Sequence, residues 1–213
     1  MENLIFTASL KSPLIAQGFM TFDSLLAAVL FDRCGDVETA HTSVPLKCSE
    51  GLFHASAAIV TPVERGSYSI AASLRADHDL DADLFPKNKS GRIYRKMGRK
   101  RRRDLGNVLS TYHTISTPSV RWICTGDLDQ IKGLLGDLRF IGKKRAQGFG
   151  EVAAWSVEKT DLDPLVDEQG LPRRPIPENM FTGDRSLPLQ DLAWKPAYWN
   201  PEHRAACYAP QPL

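Results

Sequence analysis

No apolar run in this chain approaches the roughly 20 residues that a bilayer-crossing helix needs. The opening residues, "MENLIFTASLKSPL", lack the charged-then-apolar layout of a signal peptide, so the expected location is the cytoplasm, away from any membrane. Cysteine is sparse: Cys34, Cys48, Cys124 and Cys207 form no CxxC pair and have no companion histidine at metal spacing, which argues against both a zinc site and a disulfide framework. A calcium loop is missing as well. The alternating Asp77, Asp79, Asp81 and Asp83 of "ADHDLDAD" have neither the glycine nor the terminal glutamate of an EF-hand and read as a solvated acidic turn. Neither G-x-x-x-x-G-K-[ST] nor a strand-to-helix G-x-G-x-x-G occurs, so mononucleotide binding by either common phosphate loop has no support. No metal and no cofactor is expected.

What is present is an ordinary globular composition, 42% hydrophobic and 24% charged, in 213 residues, enough for one substantial core or two small ones. The net charge of +2 conceals an uneven distribution. Residues 87–103, "KNKSGRIYRKMGRKRRR", hold ten Lys or Arg and no acid, leaving the rest of the chain net negative.

Residues 4–10 alternate with period two, which predicts a half-buried strand. Thr21 is placed to cap a helix with Phe22, Leu25, Leu26, Val29 and Leu30 on its apolar side and Gly35 to end it. Residues 52–60 and 67–75 read as strands joined by "TPVERG", an expected antiparallel hairpin. Residues 108–116 and 119–125 read as strands broken at Pro118. A second helix starts at Asp127, with Gln130 placed as in a capping box and Leu128, Ile131, Leu135 and Leu138 on one side. "VAAWSVEK" reads as a last, buried strand. This order is that of a βαββαβ, ferredoxin-like α+β domain over residues 1–160, with a basic insertion at about 86–106. Nine of the fourteen prolines fall in residues 161–213, an expected irregular arm whose "WKPAYW" aromatics favour packing on the domain or on a partner.

Between the second helix and the last strand lies "FIGKKRAQGFGEV". Glycines without Cβ permit close approach to an extended chain, and Lys143, Lys144 and Arg145 offer charge to several phosphates at once, which suits a polyanion better than one small phosphate. Phe149, between two glycines, is able to stack on a base or to dock inward. The residues leave a second reading open, in which Gly142 merely ends the helix and the cations form a solvated turn.

"IGKKRAQGFGEV", between a helix and the last strand of such a unit, resembles the glycine-rich loop of the RAMP superfamily, the RNA-binding subunits of CRISPR-Cas effector complexes. The start "LIFTASLKSPL", the helix "FDSLLAAVLFDR", the strand "LFHASAAIV" and the ending "PAYWNPEHRAACYAP" are similar to one branch, the type IV subunit that caps the 5′ handle of the guide RNA (crRNA). The resemblance implies an RNA-binding, non-catalytic subunit. Its implied partners are crRNA, a repeated backbone subunit, a large subunit and a separate crRNA-processing nuclease. Handle contacts are implied for Gly142, Lys143, Lys144, Arg145, Gln147, Gly148, Phe149 and Gly150. The basic stretch transfers only in kind: Lys89, Arg92, Arg95, Lys96, Arg99, Lys100, Arg101, Arg102 and Arg103 would meet phosphates of crRNA or target DNA, and Tyr94 would stack a base. A solvated loop or a targeting-like basic cluster is the alternative there.

The competing reading is a metal-independent endoribonuclease that processes the CRISPR repeat RNA. It needs a general base near a 2′-hydroxyl, for which His54, His113 and Tyr112 are the candidates. His54 is equally suited to lining the open sheet face. Tyr112 and His113, as strand neighbours, would point to opposite sides.

Overall fold

Alternation at the amino end has the consequence its period demands: Leu4, Phe6 and Ala8 are buried, and Asn3, Ile5, Thr7 and Ser9 between them are half-buried on the other face. The structure, a computed structural model, describes residues 1–16, 18–75, 89–91, 96–97, 107–210 and 213, with backbone alone at 71–75, 96–97 and 107–108. In chain order the elements are β1 (Glu2–Leu10), α1 (Phe22–Cys34), α2 (Val37–Thr42), β2 (Cys48–Ser49), β3 (Leu52–Phe53), β4 (Ile59–Val60), β5 (Glu64–Arg75), β6 (Lys96–Met97), β7 (Asn107–Ser116), β8 (Ser119–Gly126), α3 (Leu128–Leu135), β9 (Val152–Lys159), β10 (Ile176–Pro177), β11 (Gln190–Ala193) and β12 (Arg204–Tyr208). The fold is α+β with mostly antiparallel sheets, compatible with a ferredoxin-like arrangement. Among the described residues no helix is long and apolar enough to cross a membrane.

Two compact units emerge, Met1–Arg65 with Ile115–Leu213, and Gly66–Thr114. In the first, a four-stranded sheet runs β4–β8–β1–β9 with every neighbouring pair antiparallel. The face carrying Leu4, Phe6, Val120 and Trp122 shares one core with Phe22 and Leu26 of α1 and Ile131 and Leu135 of α3. The Phe22 ring stacks on Phe6 and on Trp122, centroids 5.3 and 5.5 Å apart. Gly35 ends α1 in the left-handed region at φ 70°, its N–H donating to Phe31 O at 2.8 Å. Asp127 caps α3 by accepting from the N–H groups of Asp129 and Gln130. The box closes between side chains, Gln130 Nε2 donating to Asp127 Oδ2 at 3.1 Å. Thr21 makes no such cap; its hydroxyl donates to Tyr198 Oη at 2.9 Å.

Four sequence expectations need correction. Residues 52–60 are not one strand, and the expected hairpin with residues 67–75 does not form. β3 pairs with β2, β4 pairs with β8, and β5 lies between β6 and β7 in the sheet of the second unit. The cause is competition for backbone groups. Phe53 O and Ala55 O accept from Arg174 Nη1 at 2.8 and 3.2 Å, and Ala57 N–H donates to Arg173 O at 2.7 Å, so this segment divides its backbone bonds between the proline-rich arm and β8, where Ser56 N–H donates to Ile123 O and His54 O accepts from Thr125 N–H. α3 ends at Leu135, and Leu138 reaches the core from beyond the helix. "VAAWSVEK", expected to be buried, is the edge strand β9, with Ala153, Ala154, Ser156 and Glu158 exposed and Trp155 and Val157 half-buried against the core.

Residues beyond 160 contain the small sheet β10–β12–β11, and Ile176, Phe181 and Tyr208 among them form a second apolar cluster with Leu52 of β3. Phe181 and Tyr208 hold their rings 4.6 Å apart. Arg174, fully buried, forks onto Asp23 of α1 at 3.1 and 3.3 Å.

Candidate nucleic-acid interface

The sheet edge that carries β9 also carries the glycine-rich loop, and backbone hydrogen bonds define its neck. Val152 N–H donates to Arg139 O at 2.8 Å, Ile141 N–H to Gly150 O at 2.9 Å, and Phe140 and Glu151 form an antiparallel bridge between them. The loop is then fastened to the segment following β1. Lys143 N–H donates to Ile15 O at 2.7 Å, Gly150 N–H to Pro13 O at 2.9 Å, and Glu151 N–H to Ser12 Oγ at 2.8 Å. Lys11 adds two bonds to Glu151, its own N–H donating to Glu151 O and its Nζ pairing with Oε1 at 3.2 Å.

The three glycines have different jobs. A Cβ at Gly142 would lie 2.5 Å from Ile15 O, and one at Gly150 would lie 2.0 Å from Ile141 O, so both positions are bare because the chain's own backbone passes there. Gly148 has nothing within 4 Å and is glycine for its φ of 86° alone. A single 3-10 turn, Arg145–Gln147, forms the tip between two left-handed residues, Lys144 at φ 59° and Gly148. Lys143, Arg145, Gln147 and Gly148 are exposed, Gly142, Lys144 and Phe149 are half-buried, and Gly150 is buried. The tip therefore presents charge, and the glycines at the neck shape it.

Beside the neck opens a cleft of about 610 Å³ whose walls include Lys11, Arg139, Phe140, Glu151 and Trp155. Trp155 is held by a bond from its Nε1 to Leu138 O at 3.3 Å. None of these five was singled out from the sequence, because they meet only through the pairing of Phe140 with Glu151 and the bonds of Lys11 to Glu151 and of Val152 to Arg139.

The remaining candidates are scattered. Lys89 is exposed, and Lys96 belongs to β6, paired with Arg75. Arg92, Tyr94, Arg95, Arg99, Lys100, Arg101, Arg102 and Arg103 lie outside the described residues, as do Asp77, Asp79, Asp81 and Asp83. His54 sits in the first unit just after β3, half-buried, with Nε2 2.9 Å from Ser49 Oγ. Burial, aided by the charge of Lys47, holds its proton affinity below that of an ordinary histidine. Tyr112 (half-buried) and His113 (exposed) belong to the second unit as consecutive residues of β7. Burial pushes the Cys124 thiol up to about 12 and the Cys207 thiol up to about 11, so neither is a ready nucleophile. Among the described residues no three of His, Cys, Asp and Glu gather as metal ligands would.

No curated protein matches the chain. A family model does match, that of CRISPR type IV associated protein Csf3, over residues 74–210. The match takes in the basic stretch, β8, α3, the loop and the arm through β12. The chain therefore belongs to the family of CRISPR type IV associated protein Csf3.

Proposed function

We propose that this type IV effector subunit anchors the 5′ handle of crRNA as a non-catalytic, cytoplasmic RAMP subunit, and that residues 161–213 form an arm completing its first 160 residues. The observation that carries the reading is the cationic tip at Lys143, Lys144 and Arg145, exposed at its first and third residues and set on a neck that is already hydrogen-bonded. Support for the RAMP assignment comes from the strand order β4–β8–β1–β9, all antiparallel, with α1 and α3 sharing the core of one face. Within the loop, Lys143, Lys144, Arg145 and Gln147 bind phosphates, Gly148 lets the strand approach, and Gly142 and Gly150 keep the tip in shape. The basic stretch binds further phosphates, of crRNA or of target DNA. Guide sequence is then read by base pairing, the protein reading shape and backbone. Backbone and large subunits dock on the same chain, and another nuclease supplies the processed RNA.

The test is a titration of repeat-derived RNA in EDTA at several salt concentrations. Replacing Lys143, Lys144 and Arg145 together by Ala is expected to lower the slope of log affinity against log salt by about 2, since each phosphate left without its cation removes about 0.7. Unchanged slope in a folded triple variant would assign the loop another role. A defined cut in the RNA, abolished by His54→Ala or His113→Ala, would replace anchoring by catalysis.

A further inference from the structure

Phe31, Val37 and Trp199 are large apolar side chains left 43%, 42% and 77% exposed. They border a single groove of about 370 Å³ between α1, α2 and the end of the arm, floored by Ala27, Ala28 and Ala197. Scattered exposed apolar residues need no explanation, but three large ones around one concavity, with a tryptophan among them, have the composition of an interface hot spot. The arm's wall is fixed: Tyr198 accepts from Thr21 Oγ1 and from Arg174 Nη2 and donates to Asp23, so Trp199 projects from an anchored residue.

The rim identifies the occupant. Asp32, Asp36, Glu38 and Glu202 are all exposed on the flanking segments. Of the cations nearby, Arg33 is offset by Asp137 at 3.1 Å, and Lys195, over the Trp194 ring at 5.0 Å, leaves these four acids in excess. Burial, with His203 adding, keeps the His41 ring below the ordinary histidine value despite the opposing pull of Asp23, so the rim stays negative at neutral pH. A negative rim repels nucleic acid and favours a cationic protein surface. Resting on the assignment to an effector complex, we propose that this groove docks a different protein subunit through a segment that sets apolar side chains between Phe31 and Trp199 and places Lys or Arg against Asp32, Asp36 and Glu38.

The experiment uses the assembled complex, purified through a tag on another subunit, with a photo-crosslinking phenylalanine analogue at position 199. The expected product is a crosslink to one other protein, mapped to a peptide with apolar residues flanked by Lys or Arg. Phe31→Ser with Trp199→Ser, and separately Glu38→Lys with Asp32→Lys, should each lower the retained chain about tenfold, while thermal melting confirms that the variants fold. A crosslink to RNA, to a second copy of this chain or to nothing, in a complex that retains the chain, overturns the groove proposal and leaves RNA anchoring standing. Failure of the wild-type chain to join any complex overturns both.

Discussion

Arg174 enters the core with its charge intact, and its surroundings explain how. Removing a guanidinium and a carboxylate from water costs several kcal/mol per ion, which only close geometry and further hydrogen bonds offset. Here Asp23 supplies the counter-charge, and Phe53 O, Trp194 O and Tyr198 Oη accept at 2.8, 2.8 and 2.7 Å, with Nε alone left without a partner. Burial pulls against the Arg174 charge, but Asp23 and Tyr198 more than compensate and raise its pKa further. Arg174→Met should therefore destabilise the protein by about 3–5 kcal/mol, read from urea midpoints, since Asp23 is left buried and uncompensated. Arg174→Lys should recover little, because an ammonium cannot fork across acceptors set in a plane. His54 makes a pH prediction. Its proton affinity is depressed in the folded state, so below the ordinary histidine value of about 6.5 the unfolded chain takes up the proton more readily. Its contribution is complete above that pH and declines as pH falls through the folded pKa. The urea midpoint should drop on acidification from about pH 8 to 5, and less so in His54→Gln.

At the scale of elements, the loop separates glycines that serve the fold from one that serves access. Gly150→Ala drives a Cβ into Ile141 O and should disturb the neck, lowering the melting temperature and the RNA affinity together. Gly148→Ala meets open space and costs only the left-handed conformation, about 1–2 kcal/mol, so its melting temperature should fall less. Much of this architecture was legible: alternation marked β1, Pro118 divided β7 from β8, Gly35 and Asp127 bounded their helices, and the cations of the tip stood out by composition. The break in residues 52–60 was not legible, because Arg173 and Arg174, more than a hundred residues away, take up backbone groups of Phe53, Ala55 and Ala57. The same holds for β10–β12–β11, where proline content suggested irregularity yet Ile176↔Tyr208 and Leu192↔Ala205 pair regularly. Gly142 and Gly150 were legible as glycines, but their reason was not, since the colliding atoms belong to Ile15 and Ile141.

At the scale of the whole molecule, the core of the first unit draws every buried residue from Met1–Arg65 and Ile115–Leu213. The ends of the second unit are close, a Cβ on Gly66 falling 3.0 Å from Thr114 Oγ1. Replacing residues 67–113 by a short Gly-Ser linker should leave a folded protein with an intact near-UV circular dichroism spectrum and a shallower salt dependence of RNA binding, the basic stretch having been removed. A collapse of the spectrum would show that the first unit depends on the second. Asp23 and Arg174 stand 151 residues apart in sequence. During translation at about 5–20 residues per second, the carboxylate of the first helix waits on the order of 8–30 s for its guanidinium to be synthesised. Until then Asp23 stays hydrated, and burying it would cost several kcal/mol, so the first unit closes its core around this helix only after the arm has been made.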